Sequence, residues 1–63
     1  MTDGEFAQFV RIAIRSASEL EYHLLLAHDR RMMKKEAYEP LTSEVTQLRR
    51  MLGALLKKLG PDS

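Results

Sequence analysis

Apolar residues recur along the first half of the chain at alternating steps of three and four. This spacing places them on one face of an α-helix, whereas a strand would alternate every second residue. Thr2 and Glu5 have the spacing of a capping box, in which each side chain bonds the other residue's backbone N–H. The pattern predicts a helix over about residues 3–30 with the seam Phe6, Val10, Ala13, Ala17, Leu20, Leu24 and Ala27.

The second half of the chain repeats this spacing and predicts a second helix over about residues 36–59. Pro40 lies inside it, and a proline beyond the first turn removes a hydrogen bond, so we expect a weak opening turn at residues 35–39. Gly60 and Pro61 form a stop signal, and residues 60–63 should fray. Residues 31–35 are the predicted connection, and the second seam is Tyr38, Leu41, Val45, Leu48, Leu52, Leu55 and Leu59.

Two helices with a short connection predict one all-α domain, an antiparallel hairpin whose seams face each other. Apolar residues beyond the seams predict an oligomer interface, since Leu24, Leu25 and Leu26 cannot all face one seam. The alternative is that they are scattered surface residues. A 63-residue chain buries too little surface to be robust alone. We therefore predict a homo-oligomer, two or more hairpins paired into a four-helix bundle, through Phe9, Ile12, Ile14, Leu25, Leu26, Met51 and Leu56.

The composition narrows the classes of protein to consider. The chain has no cysteine, which excludes disulfides and thiolate zinc sites. Its first residues carry acids and lack a basic-then-apolar signal, and its longest apolar run, residues 24–27, is too short to span a bilayer. We expect a cytoplasmic protein without membrane contact.

Basic residues occur mostly in doublets, although the formal net charge is only +1. On a helical hairpin they could form a surface that faces phosphates, and nucleic acid, RNA in particular, is the candidate partner. The alternative is an ordinary solvated face, and no aromatic residue lies among the doublets to stack on bases. The candidate nucleic-acid-binding residues are Arg11, Arg15, Arg30, Arg31, Lys34, Lys35, Arg49, Arg50, Lys57 and Lys58.

Glu19, Glu21, His23 and His28 are the residues with potential for metal or acid–base chemistry. A di-iron site in a bundle needs Glu-x-x-His pairs from two helices, and the second helix has no histidine. We expect instead that Glu19 pairs with Arg15 one turn earlier. With no nucleophile-and-base set or phosphate-binding loop in the sequence, we predict no enzyme activity, no metal and no cofactor.

The segments "FAQFVRIAIRSASELEYHLLLA" and "EAYEPLTSEVTQLRRMLGALLKKL" resemble the C-terminal half of the 23S rRNA intervening-sequence protein family of four-helix bundles. Arg15 stands where the family prefers glycine, and residues 30–34 replace its usual turn. The resemblance implies an oligomeric bundle, and some relatives bind nucleic acid. The matching positions are Phe9, Arg11, Ile12, Ala13, Ser16, Glu19, Leu20, Glu21, Leu24, Arg50, Met51, Leu52, Leu55, Leu56 and Leu59.

Two functional hypotheses follow. The first is a non-enzymatic, self-associating helical-bundle module that assists ribosomal RNA or a ribonucleoprotein. The second is a protein-interaction subunit that completes a bundle with a longer partner and has no nucleic-acid role.

Overall fold

The computed structural model describes residues 1–60, which form two helices joined by a short turn. Helix α1 spans Asp3–Asp29 and helix α2 spans Lys35–Leu59, against predicted spans of about 3–30 and 36–59. The helices pack against each other as an antiparallel hairpin measuring 43 × 17 × 14 Å. The predicted all-α hairpin is therefore confirmed for this part of the chain. Of the predicted frayed tail, residues 61–63 lie outside the described residues.

Helix α1 begins with the predicted capping box. The Glu5 backbone N–H donates to the Thr2 hydroxyl at 3.1 Å, and the Thr2 backbone N–H donates to the Glu5 carboxylate at 3.3 Å. Each bond satisfies a donor that has no partner inside the helix. The first turn is thereby fixed by two residues, as the sequence predicted.

Helix α1 ends in a Schellman motif that has arginine where glycine is usual. The Met32 N–H donates to the Ala27 carbonyl at 2.8 Å, and the Arg31 N–H donates to the His28 carbonyl at 3.0 Å. Closing these two bonds requires a left-handed residue, and Arg31 takes that conformation with φ of 59°. The chain thus reverses direction at a residue that carries a conformational penalty.

Helix α2 begins at Lys35, five residues before Pro40. The Tyr38 N–H donates to the Lys34 carbonyl at 2.9 Å, so the opening turn is helical and the helix continues through the proline. Residues 35–39, where a weak opening turn was expected, are thus part of the helix, because one missing N–H near a helix start leaves the preceding bonds intact. The helix ends at Leu59, and Gly60 follows with φ of 87°.

The hairpin has a small core that comes from one helix. Its buried side chains are Ala7, Val10, Ala17 and Leu24 of α1, and no residue of α2 between Lys35 and Leu59 is buried. These positions recur at three, seven and seven residues, so they form one seam of α1 that faces α2. The seam also includes the half-buried Ile14, Glu21 and His28.

This seam is rotated relative to the predicted one. Val10, Ala17 and Leu24 belong to both, but Phe6 and Leu20 are 38% and 47% exposed, while Ala7 is fully buried. The reason is that α1 is apolar on more than one face, so its spacing alone does not determine which face meets α2. Phe6 and Leu20 lie beside the seam, not in it.

Candidate interaction surfaces

An open apolar groove runs between the helices on one side of the hairpin. Its walls are Ala13, Ser16, Ala17 and Leu20 on α1 and Val45, Leu48 and Leu52 on α2. It has a volume of about 270 Å³, and Ser16 is the one polar residue that lines it. An apolar depression of this size on a small protein is typical of a site for a partner.

The groove continues in both directions along the same side. Phe9 lies four residues before Ala13, so it shares the groove-lining face of α1. Leu41 and Leu55 lie seven residues before and after Leu48, so they share the groove-lining face of α2. We call this surface the apolar flank, and it has no charged member. It consists of Phe6, Phe9, Ala13, Ser16, Leu20, Leu41, Val45, Leu48, Leu52 and Leu55.

Large side chains on the apolar flank are strongly exposed. Phe9 is 59% exposed, Leu48 is 50% exposed and Leu41 is 42% exposed, in addition to Phe6 and Leu20. Scattered single apolar residues are normal on a protein surface, but five aligned on one side form a contiguous patch. The apolar flank is therefore the best candidate for a protein interface in the described chain.

The predicted oligomer-interface residues lie in three different environments. Phe9 belongs to the apolar flank, and the exposed Ile12 and Met51 border it one turn away. Ile14 and Leu56 are half-buried at seam positions, seven residues after Ala7 and Arg49 respectively. Leu25 follows the buried Leu24 and is 44% exposed on the side away from the groove, and Leu26 is half-buried near the turn. Their roles at an oligomer interface stay predictions.

Glu21 links the two helices near the middle of the hairpin. Its carboxylate accepts one hydrogen bond from the Arg49 guanidinium and another, at 3.0 Å, from the Thr46 hydroxyl. The bond from Arg49 is the main reason that the pKa of Glu21 lies below its usual range; partial burial opposes it, and Thr46 and the charges of Arg49 and Arg50 reinforce it. Arg49, a predicted nucleic-acid contact, is thus placed in an ion pair between the helices.

The opposite side of the hairpin carries a group of cations. Arg49 faces Glu21, so its neighbours Leu48 and Arg50 point about 100° to either side of the seam. Leu48 lines the groove, which puts Arg50 on the other side. By the same geometry, Phe9 and Arg11 flank the buried Val10.

Arg15 lies one turn after Arg11, and Lys57 lies two turns after Arg50, so both continue this surface. We call it the cationic flank, and its four basic residues are exposed. They are Arg11, Arg15, Arg50 and Lys57.

The remaining predicted cations are not part of this surface. Arg30, Arg31 and Lys34 lie in the turn, and Lys35 pairs with Glu39 at 3.5 Å in the first turn of α2. That pair is exposed and contributes little, because water screens it. Lys58 lies seven residues after Met51, on the outer face of α2. The structure therefore divides the ten predicted contacts among the cationic flank, the connecting turn, the Lys35–Glu39 pair at the start of α2, the Glu21 pair and the outer face.

The acidic and histidine residues do not come together into a metal-binding cluster. Within residues 1–60, no three His, Asp or Glu side chains could hold one ion. The His23 ring contacts Tyr22 edge-on at 5.8 Å, and the His28 ring stacks on Tyr38 at 4.4 Å. The expected Arg15–Glu19 pair is absent from the ion pairs of this part of the chain, where Glu21 is paired instead.

Neither helix of the described residues is long and apolar enough to cross a bilayer.

The structure defines an all-α hairpin with an apolar surface on one side and a cationic surface on the other. The chain belongs to the 23S rRNA-intervening sequence protein family, whose sequence profile matches residues 1–54. The resemblance to this family is thereby confirmed, whereas the four-helix bundle and the correspondence to the family's C-terminal half stay predictions; the family is not a known class of enzymes. No curated protein and no solved structure matches the chain.

Proposed function

We propose that this protein is a non-enzymatic helical module that pairs with a second copy of itself through the apolar flank and acts with ribosomal RNA. The observation that carries the proposal is the apolar flank, which is open along most of the hairpin. Pairing two such flanks puts four helices around one core, the arrangement of a four-helix bundle.

The small core of the hairpin supports self-association. Three of its four buried side chains are alanine or valine, so burial within one chain supplies little stabilisation. Leu20, Leu41 and Leu48 would add about 1.5–3 kcal/mol each if a partner covered them completely. Folding and association would then support each other, as in many small obligate dimers.

The dimensions of the hairpin also fit a second copy. A side 43 Å long and 17 Å wide offers on the order of 700 Å² to a partner, close to the roughly 800 Å² per subunit of stable interfaces. An isologous contact needs a surface that can face itself. The apolar flank meets this requirement, because it has no charged residue that would face its own copy.

The ribosomal RNA context comes from the family and from the basic residues. The family's name refers to the intervening sequence of 23S rRNA, and a role with this RNA or its ribonucleoprotein is consistent with that name. The cationic flank lies opposite the apolar flank, so it stays accessible when two hairpins pair. A cytoplasmic location follows from this proposal, because ribosomal RNA is found there.

The test is the solution mass of the chain over a range of concentrations, with the helical signal followed in parallel. We expect a dimer or higher oligomer that loses mass and helicity together on dilution, since folding and association are linked. Replacing Leu20 and Leu48 by glutamine should shift this transition to higher concentration, because glutamine keeps the helix propensity nearly unchanged.

The control variant replaces Tyr22 and Met32, which are exposed away from the apolar flank, by glutamine. It should behave as the wild type does. A monomer that remains helical at micromolar dilution would contradict self-association. It would favour the alternative, a subunit that completes a bundle with a longer partner through the same flank.

A further inference from the structure

We infer that the cationic flank binds the phosphate backbone of duplex RNA, with Gly53 as the point of closest approach. The inference rests on the proposed function for its RNA context, but not on self-association. It selects Arg11, Arg15, Arg50 and Lys57 from the ten basic candidates of the sequence.

The antiparallel register brings these four cations together. Glu21 bonds both Thr46 and Arg49, so residue 21 lies level with about residue 47. Each helix rises 1.5 Å per residue in opposite directions, which puts Arg11 level with about Lys57 and Arg15 level with about Gly53. Arg50 is three residues from Gly53, or about 4.5 Å along the axis of α2. With axes about 8–10 Å apart, the four side chains start from one compact area.

The electrostatics of Glu21 agree with this position of Arg50. The positive charge of Arg50 contributes to the lowered pKa of Glu21, so Arg50 lies close to the hydrogen bonds between the helices. Arg49 already neutralises that carboxylate. Of the acids within residues 1–60, Glu19 lies one turn beyond Arg15, beside a flank that has four basic residues.

Gly53 lies among these cations and has no role in packing the hairpin. It is in the interior of α2, where glycine is less favourable than alanine. A Cβ added there would meet no atom within 4 Å, so α1 does not require the missing side chain. A glycine that the fold does not need allows another backbone to come close to the helix. Here that backbone would approach between Arg15 and Arg50.

The chemistry of the flank fits duplex RNA better than it fits a lipid surface. Three of the four cations are arginine, whose planar guanidinium can bind a phosphate with two parallel hydrogen bonds. Duplex RNA is recognised through its shape, its phosphates and its 2′-hydroxyls, so base-stacking aromatics are not required. A membrane-bound helix inserts an apolar face, and the apolar flank of this hairpin is on the side away from these cations.

The test measures binding of the full chain to an RNA duplex of about 16 base pairs, the length that one small RNA-binding domain covers. Salt is varied between roughly 50 and 200 mM. Replacing Arg15, Arg50 and Lys57 by glutamine should lower the affinity on the order of a hundredfold at 0.1 M salt. It should also reduce the slope of log K against log salt concentration by about 3.

The matched control replaces Arg30, Lys34 and Lys58 by glutamine, which removes the same charge from the turn and the outer face. We expect a much smaller loss of affinity and a nearly unchanged salt slope. An equal loss in both triple variants would overturn the inference, since binding would then follow net charge alone. Binding of the wild type to vesicles rich in phosphatidylserine, but not to RNA, would overturn it in favour of a membrane.

Replacing Gly53 by alanine tests the point of closest approach. The melting temperature should rise because alanine is the better helix former, while the affinity for the RNA duplex should fall several-fold. A rise in both quantities would show that nothing approaches Gly53. The solution mass of every variant is measured as well. RNA binding by a monomeric wild type would contradict the proposed self-association and leave this inference standing. A dimer that binds no RNA would contradict this inference and leave self-association standing.

Discussion

Glu21 of α1 accepts a hydrogen bond from Arg49 of α2, and this ion pair joins residues 28 positions apart in the chain. Glu21 lies in the seam, and its side chain is only 24% exposed. A half-buried carboxylate requires partners, and it has two, since Thr46 donates to its other oxygen. The pair therefore aligns the two helices in one register, because a slip by one residue would leave the carboxylate without these donors.

The first prediction concerns acid. The bond from Arg49 lowers the pKa of Glu21, so the unfolded chain binds a proton more readily than the folded one. The stabilisation is complete above the ordinary glutamate pKa of about 4.3 and is lost as the pH falls through the lower folded-state value. The melting temperature should fall as the pH is lowered through that range. Glu21→Gln should weaken this pH dependence and should lower the melting temperature at neutral pH.

The control for this prediction is Glu19→Gln, at an exposed acid that is not among the ion pairs of the described residues. It should keep the pH dependence of the wild type. Equal pH profiles for the wild type and Glu21→Gln would show that the pair contributes nothing to stability.

The second prediction concerns the turn. Arg31 has φ of 59° in the Schellman motif, a conformation that costs most residues about 1 kcal/mol or more and glycine almost nothing. Arg31→Gly should therefore stabilise the hairpin by about 0.5–1 kcal/mol, measured by thermal or urea unfolding. Arg30→Gly is the control, because Arg30 has φ of −87° and gains nothing from glycine. Stabilisation by both variants, or by neither, would be inconsistent with the turn geometry.

The third prediction tests which residues face the other helix. Leu24→Asp puts a carboxylate at a position that is 9% exposed, at a cost of several kcal/mol against a marginal total. It should abolish cooperative melting at every protein concentration. Leu20→Asp changes a 47% exposed residue of the apolar flank, so its loss of helicity should be recovered at higher concentration. Loss of cooperative melting at every concentration in both variants would instead support the seam that the sequence predicted, because that seam contains both Leu20 and Leu24.

The fourth prediction concerns the start of α1. Thr2→Ala removes the hydroxyl that accepts the Glu5 N–H and should destabilise the hairpin by about 1 kcal/mol, as measured by the shift of its melting curve. Thr2→Ser keeps an accepting hydroxyl and should preserve most of the stability. If alanine and serine behave alike, the capping box is not stabilising in solution.

The features that the sequence predicted well depend on residues close together in the chain. Thr2 and Glu5 form the predicted capping box because both partners lie within one turn of helix. The heptad spacing predicted two helices, because helical periodicity is a local property. The family resemblance also came from short patterns within each helix, and it is confirmed over residues 1–54.

The features that could not be predicted depend on how the helices meet. Phe6 and Ala7 both fit an apolar face of α1, and contact with α2 decides that Ala7 is the buried one. The partner of Glu21 lies on the other helix, while the sequence suggested a local pair for Glu19. The two flanks could not be predicted for the same reason. Arg50 and Leu48 are assigned to opposite sides of the hairpin only because Arg49, between them, faces α1.

The buried side chains belong to α1, and α2 has none. Amide hydrogen exchange should therefore differ between the helices. In a lone hairpin, local fluctuations should expose the α2 amides more readily than those of the α1 seam, because the side chains of α2 stay accessible to water. A partner on the apolar flank would cover Leu41 and Leu48 and slow exchange mainly in α2. Protection of α2 amides is thus a residue-level reporter of partner binding, separate from the folding of α1.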